Sequence, residues 1–181
     1  LNNDGVINAK GDLSLSTNEL RNNSGDILSD SRFSIFSKQT IKNDNGNISS
    51  SKDSSSMMSS IKSDVSISNN GGSISSLSGL LLLVKGSLQN IAGTISSHYD
   101  LAITSPIVRN TGSIDSNGSI TFDGHRVDNS SGSLFAMGSI RATSLTNTSG
   151  SIEAGQNVDI SNGDSEFSNT NGTVSVFGDG T

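Results

Sequence analysis

Apolar residues recur along this chain in two patterns. In the first, an apolar residue, one variable position and an asparagine follow one another, as in Leu20-Arg21-Asn22, Val127-Asp128-Asn129 and Leu145-Thr146-Asn147. A glycine comes two or three residues later, and two residues past it stands an aliphatic residue. Nine such units run the length of the chain. Their asparagines are Asn3, Asn22, Asn43, Asn69, Asn90, Asn110, Asn129, Asn147 and Asn169. Their glycines are Gly5, Gly25, Gly46, Gly72, Gly93, Gly112, Gly132, Gly150 and Gly172. The aliphatic positions are Ile7, Ile27, Ile48, Ile74, Ile95, Ile114, Leu134, Ile152 and Val174. In the second pattern apolar residues alternate, as in Leu13/Leu15, Phe33/Ile35, Leu101/Ile103, Ile120/Phe122 and Val158/Ile160. Alternation is the strand period, one side chain in and the next out. Helical spacing is scarce. Each unit therefore predicts three short strands and three turns in about 20 residues, and a period of that length marks a solenoid. The expected fold is all-β, a parallel β-helix of about nine coils. Coils stacked about 4.8 Å apart would form a rod roughly 40 Å long.

Composition supports this reading over a disordered chain. Only 30% of the 181 residues are hydrophobic and 4% aromatic, against about 45–50% apolar in ordinary globular domains. Serine and threonine supply 52 residues, asparagine 20 and glycine 20. Disorder goes with high net charge and no apolar schedule; here the net charge is −6 and the schedule is regular. A coil needs few inward side chains, because its backbone bonds to the coils on either side. Asparagine suits a tight turn and can bond the same asparagine one coil away, while glycine is expected to supply the strained turn geometry. The longest apolar run, Leu80–Val84, is far short of the roughly 18 residues of a membrane helix. The absence of cysteine excludes disulfides and zinc-thiolate sites. The 11 basic residues are dispersed, so no nucleic-acid partner is expected.

The stretches LSLSTNELRNNSGDILS and LTNTSGSIEAGQNVDIS resemble the haemagglutinin repeats of bacterial filamentous haemagglutinins and contact-dependent growth inhibition exoproteins. The family pattern runs roughly Leu-x-Asn-x-x-Gly-x-Ile-x-(small)-x-x-x-Leu-x-Leu, and the resemblance covers almost the whole chain. It implies a right-handed β-helix in a protein of two-partner secretion, carried to the surface of a Gram-negative cell by an outer-membrane transporter. It further implies a structural or adhesive shaft that meets a receptor, protein or glycan, on a host or target cell. The chain begins and ends inside repeats, so it is expected to be an excised piece: a single segment, 1–181, of a longer virulence-associated filament.

Five features are candidates for more than scaffolding. The third coil departs from the pattern at Ser49–Ser63, where about five extra residues displace the expected Leu-x-Leu. Insertions in solenoids map to loops on one face, so a loop excursion at 49–63 is expected, with Met57 and Met58 as possible partner contacts. The run Leu80–Val84 must turn one alternating set outward, which makes Leu81 or Leu82 a second possible contact. Asp12, Asp64 and Asp100 precede apolar strand residues at corners, as catalytic carboxylates do in polysaccharide-degrading β-helices. They fall in separate coils, and turn capping is the expected role. His98 and His125 occupy non-equivalent coil positions. The six Asn-x-Ser/Thr sequons (Asn22, Asn47, Asn117, Asn129, Asn147 and Asn171) are about what this composition yields by chance. No enzyme activity, cofactor or metal is expected; the alternatives are direct receptor binding by this segment and a polysaccharide-degrading enzyme.

Overall fold

In a computed structural model, which describes residues 1–124, 126–160 and 166–178, the chain is a parallel β-solenoid of about eight turns, roughly 21 residues each, with no helix among the described residues. Each coil is numbered below by its asparagine, from Asn3 in coil 1 to Asn169 in coil 9. Three rows of strands form the walls. The first is a nine-stranded parallel sheet running from Asn2–Asn3 to Phe167–Thr170. The second row starts at Val6–Ala9 and ends at Thr173–Val176; the third starts at Leu13–Thr17 and ends at Val158–Ile160. In most coils a turn separates these two rows. In coils 3 and 4 single long strands, Asn47–Ser63 and Ser73–Val84, pass through the corner and join both rows into one 15-stranded sheet.

The register repeats the sequence schedule. Ile27 pairs with Ile48, Ile48 with Ile74, Ile74 with Ile95 and Ile95 with Ile114, so one inward aliphatic position stacks on the next. The first row contributes Leu20, Ile41, Ile67, Leu88, Val108, Val127 and Leu145 to the same core. The third row adds pairs such as Leu101 with Ile103 and Ile120 with Phe122. Each fully buried aliphatic side chain contributes roughly 1.5–3 kcal/mol. Parallel ladders satisfy the backbone between coils, which is why so thin a core suffices.

Besides the serines Ser37, Ser63 and Ser105 at the end of row three, two inward positions recur as rows of polar or small residues. One belongs to the asparagines. The other is a row of small residues two positions past the second-row aliphatic: Ser29, Ser50, Ser76, Ser97 and Ser116, giving way to Ala136 and Ala154. These serines turn the corner between rows two and three. Ser97 Oγ, for example, donates to the carbonyls of Ser78 (3.0 Å) and Asp100 (3.2 Å). The signal is present in the sequence as Gly-x-Ile-x-Ser, but the apolar pattern alone passes over it.

The excursion expected at 49–63 takes a different form. Both ends of the segment stay in the wall: Asn47–Ser50 pair with Asp26–Ser29, and Ser60–Ser63 with Ser34–Ser37. The extra residues are taken up between them as a bulge. Toward coil 4, Ser50 pairs with Ser76 but Ser54 with Ser78, and Met58 with the very next residue, Gly79. The β-ladder tolerates such surplus by bending outward, so the departure is confined to 51–58, inside a continuous strand rather than a free loop.

Candidate functional site

The asparagines make the most ordered polar feature of the molecule. Asn3 Nδ2 donates to Asn22 Oδ1, Asn22 to Asn43, and so on through Asn69, Asn90, Asn110, Asn129 and Asn147 to Asn169, every bond 2.7–2.8 Å. Asn22 Nδ2 also serves the carbonyl of Gly25 in its own turn (2.9 Å) and that of Asn47 in the next coil (3.2 Å). The seven from Asn22 to Asn147 are fully buried. A buried amide is costly unless bonded, and here each one ties two coils, and all but Asn110 also close their own turn.

The glycines play a different part from the one expected. The left-handed backbone falls on the residue before the glycine: Ser24, Asn45, Ala92, Ser131, Ser149 and Asn171 have φ between 51° and 61°, and Gly71 has 65°. The ladder asparagines themselves are not among these positive-φ positions. What the following glycine supplies is room. A Cβ on Gly25 would lie 2.6 Å from Asn3 Nδ2 and 2.8 Å from Asn22 Oδ1; on Gly132 it would lie 2.5 Å from the Asn110 carbonyl oxygen. The asparagine ladder occupies the space a side chain would need.

The bulge of coil 3 is the main break in the molecule's surface. Lys52 and Asp53 are exposed, Met57 is half-buried and Met58 is 43% exposed. Its base is a buried hydroxyl cluster: Ser59, standing where the repeat has leucine, lies 2.9 Å from Ser50 Oγ, which lies 2.9 Å from Ser76 Oγ. Its crest leans toward later coils. Ser78 Oγ donates to the Lys52 carbonyl (2.6 Å), and the Tyr99 hydroxyl donates to Asp53 Oδ1 (3.0 Å). That bond and the Asp53 charge raise the Tyr99 pKa above the usual phenol value. Met58 separates two grooves. One, of about 360 Å3, is lined by Asp12, Arg32, Phe33 and Ser60; the other, of about 510 Å3, by Asp100, Ala102, Ser119, Thr121, Arg141 and Gln156.

The other candidates sit apart. Leu80, Leu82 and Val84 are core residues, whereas Leu81 and Leu83 are half-buried on the outer face of the third row. Leu82 is therefore withdrawn as a partner contact, because its side chain is fully buried; Leu81 remains accessible. Asp12 pairs with Arg32 (2.8 Å), Asp64 with Lys85 (2.9 Å), and Asp100 Oδ1 accepts the Ser119 N–H (2.8 Å). Each is a corner fastening between coils. Hydrogen bonds from Ser31 and Arg32 hold the Asp12 pKa below the usual carboxylate value. His98 Nδ1 lies 3.0 Å from Asn117 Nδ2 and meets the Tyr99 ring edge-on. His125 lies outside the described residues. Among the described residues no group of three or more His, Asp or Glu side chains is placed to hold a metal ion.

The haemagglutinin repeat family matches residues 1–54, 60–105, 85–134 and 137–176. The chain belongs to the haemagglutinin repeat family. The matched stretches skip 55–59, which overlaps the bulge, and 135–136, where the strand pairing continues. No curated protein and no solved structure matches the chain. Family membership implies a bacterial protein that is secreted or exposed at the surface.

Proposed function

We propose that this segment is a non-catalytic shaft of a secreted surface filament of a Gram-negative bacterium, an adhesin or contact-dependent inhibition exoprotein exported through an outer-membrane transporter. The observation that carries this reading is the unbroken ladder from Asn3 to Asn169. Every described coil is fastened to its neighbours by the same amide bond over a continuous aliphatic core. Such a body resists bending and proteolysis, and suits holding other modules away from a cell toward a host or target-cell receptor.

A second reading, that the segment itself binds the receptor, is favoured by Met58, exposed between two grooves at the largest irregularity among the described residues. Deleting Ser51–Ser55 within the parent filament separates the two. For a shaft, surface display and target-cell attachment both persist. Loss of attachment with display and fold intact would transfer the function to the bulge.

A further inference from the structure

The outer face of the third row carries a charge pattern that the shaft reading leaves unused. The register lines up Lys62 of coil 3, Leu83 of coil 4, Thr104 of coil 5 and Asp123 of coil 6 in one outward column. The neighbouring column holds Ser60, Leu81, Ala102 and Thr121. Lys62 and Asp123 are both exposed. Neither has an ion-pair partner among the described residues; Lys62 lies 5.5 Å from the centre of the Phe36 ring. One end of the column is positive, the other negative, and the middle, Leu83 and Thr104, is uncharged.

We infer that this face pairs with the same face of a second copy of the chain, the two solenoids antiparallel, about a two-fold axis that runs along the strands between coils 4 and 5. A two-fold axis makes a patch complementary to itself. Coil 3 then faces coil 6 of the partner and coil 4 faces coil 5. Lys62 meets the partner's Asp123, and Asp123 meets the partner's Lys62. Leu81 lies on the partner's Ala102, and Leu83 on the partner's Thr104. The alternative axis, along the solenoid, would bring the two Lys62 side chains to one coil level and leave both charges without an opposite partner. The third row is about 38 Å by 15 Å, which places the interface near the lower end of the size of specific protein pairs. The association is therefore concentration-dependent.

The 181-residue chain tests this directly. Sedimentation should show a dimer fraction that grows with concentration. Lys62→Glu or Asp123→Lys alone should weaken dimerisation tenfold or more, and the two together should restore it, with unchanged circular dichroism throughout. The chain has no cysteine, so Lys62→Cys with Asp123→Cys should oxidise to a covalent dimer. Lys62→Cys alone should not, since its two copies would stand about three coils, roughly 14 Å, apart, beyond disulfide reach. A monomer at every concentration overturns the proposal, as does double reversal that fails to restore the dimer, or equal cross-linking by the single cysteine.

Discussion

Coils 5 to 7 and coil 3 solve the same problem with different amounts of chain. Between the small corner residue of row two and the first inward residue of row three, coils 4 to 7 each use three residues, Leu77-Ser78-Gly79 in coil 4. Coil 3 uses eight, Ser51 to Met58. Yet the first-row asparagine, the following glycine and the second-row isoleucine keep their register through both. Length therefore varies by five residues at the corner between rows two and three, whereas the asparagine turn varies by one, with Asn and Gly two apart in coils 1 and 6 and three apart elsewhere. The cause is where the polar groups go. At the asparagine turn a side-chain amide and two carbonyls are buried and depend on one another across coils. At the other corner the surplus backbone turns to water, and a serine hydroxyl closes the gap.

The sharpest way to break this contrast is at the ladder. Asn110→Ala removes the acceptor of Asn90 Nδ2 and the donor to Asn129 Oδ1. Two buried polar groups lose a partner, at a cost of about 1–3 kcal/mol each where water cannot replace it. A loss of about 2–4 kcal/mol in denaturant unfolding is expected. Asn157→Ala, exposed and outside the ladder, should change stability by no more than about 0.5 kcal/mol. Equal shifts at both positions would remove the ladder from the account. Gly132→Ala tests the space argument next. Its Cβ meets the Asn110 carbonyl and Asn129 Oδ1, so overpacking of about 1–3 kcal/mol is expected. Gly5→Ala, with nothing within 4 Å, should be close to silent.

The rows of the solenoid were legible in the sequence because burial repeats there through the inner coils, Ser59 apart: the alternating pairs and the apolar-x-Asn grammar name the inward residues coil by coil. The irregular coil was less so. The sequence shows that five residues are surplus but carries no sign of where the ladder absorbs them, because serine is equally at home in strand, turn and bulge. The run Leu80–Val84 had the same limit. Alternation divides it into two sets, and only packing decides that Leu82 goes in and Leu81 out. The left-handed residue before the glycine in coils 2 to 5 and 7 to 9 was hidden as well, since Ser, Asn, Ala and Gly all fill it.

Excision sharpens the other side of the comparison. Deleting Ser51–Ser55 gives coil 3 the length of coil 4 and places Met58 opposite Gly79, as it already stands. The Tyr99 bond to the bulge is lost at an exposed surface, and the buried Ser78 hydroxyl loses the Lys52 carbonyl. Stability should fall by about 1 kcal/mol, read as a small shift in the denaturation midpoint. A loss as large as that of Asn110→Ala would mean the bulge is a structural part of the wall.

A smaller effect comes from Asp115, on the outer face of row two. Burial raises its pKa, opposed by the hydrogen bonds from Ser113. Raised in the folded state, the carboxyl favours folding fully below its unfolded value, and that contribution is lost as the pH rises through the folded one. Asp115→Asn should therefore give a small gain in Tm at neutral pH that disappears on acidification through the carboxylate range. A gain that is the same at every pH would trace to something other than charge.

The smallest expected effect concerns how the bulge is held. The Tyr99 hydroxyl, two coils away, is the side-chain contact that reaches Asp53, and the residue before it, Lys52, is exposed. Protease needs several residues of free backbone, and the bulge has the fewest ladder bonds of any stretch of strand in coils 2 to 5. Trypsin should cut the native chain first after Lys52. Tyr99→Phe removes the tether and leaves the ring in place against His98. Because the bond is solvated, Tm should hardly move, while cleavage after Lys52 should speed up a few-fold. The two readouts separate local from global opening: a bond that only restrains the crest changes the cleavage rate alone, whereas one that holds the wall together would lower Tm in step. First cleavage at a site in coils 5 to 7, or a Tyr99→Phe chain cut no faster than the parent, would show that the bulge is as firmly held as the regular coils, and that the contrast between the two corners is one of length and not of stability.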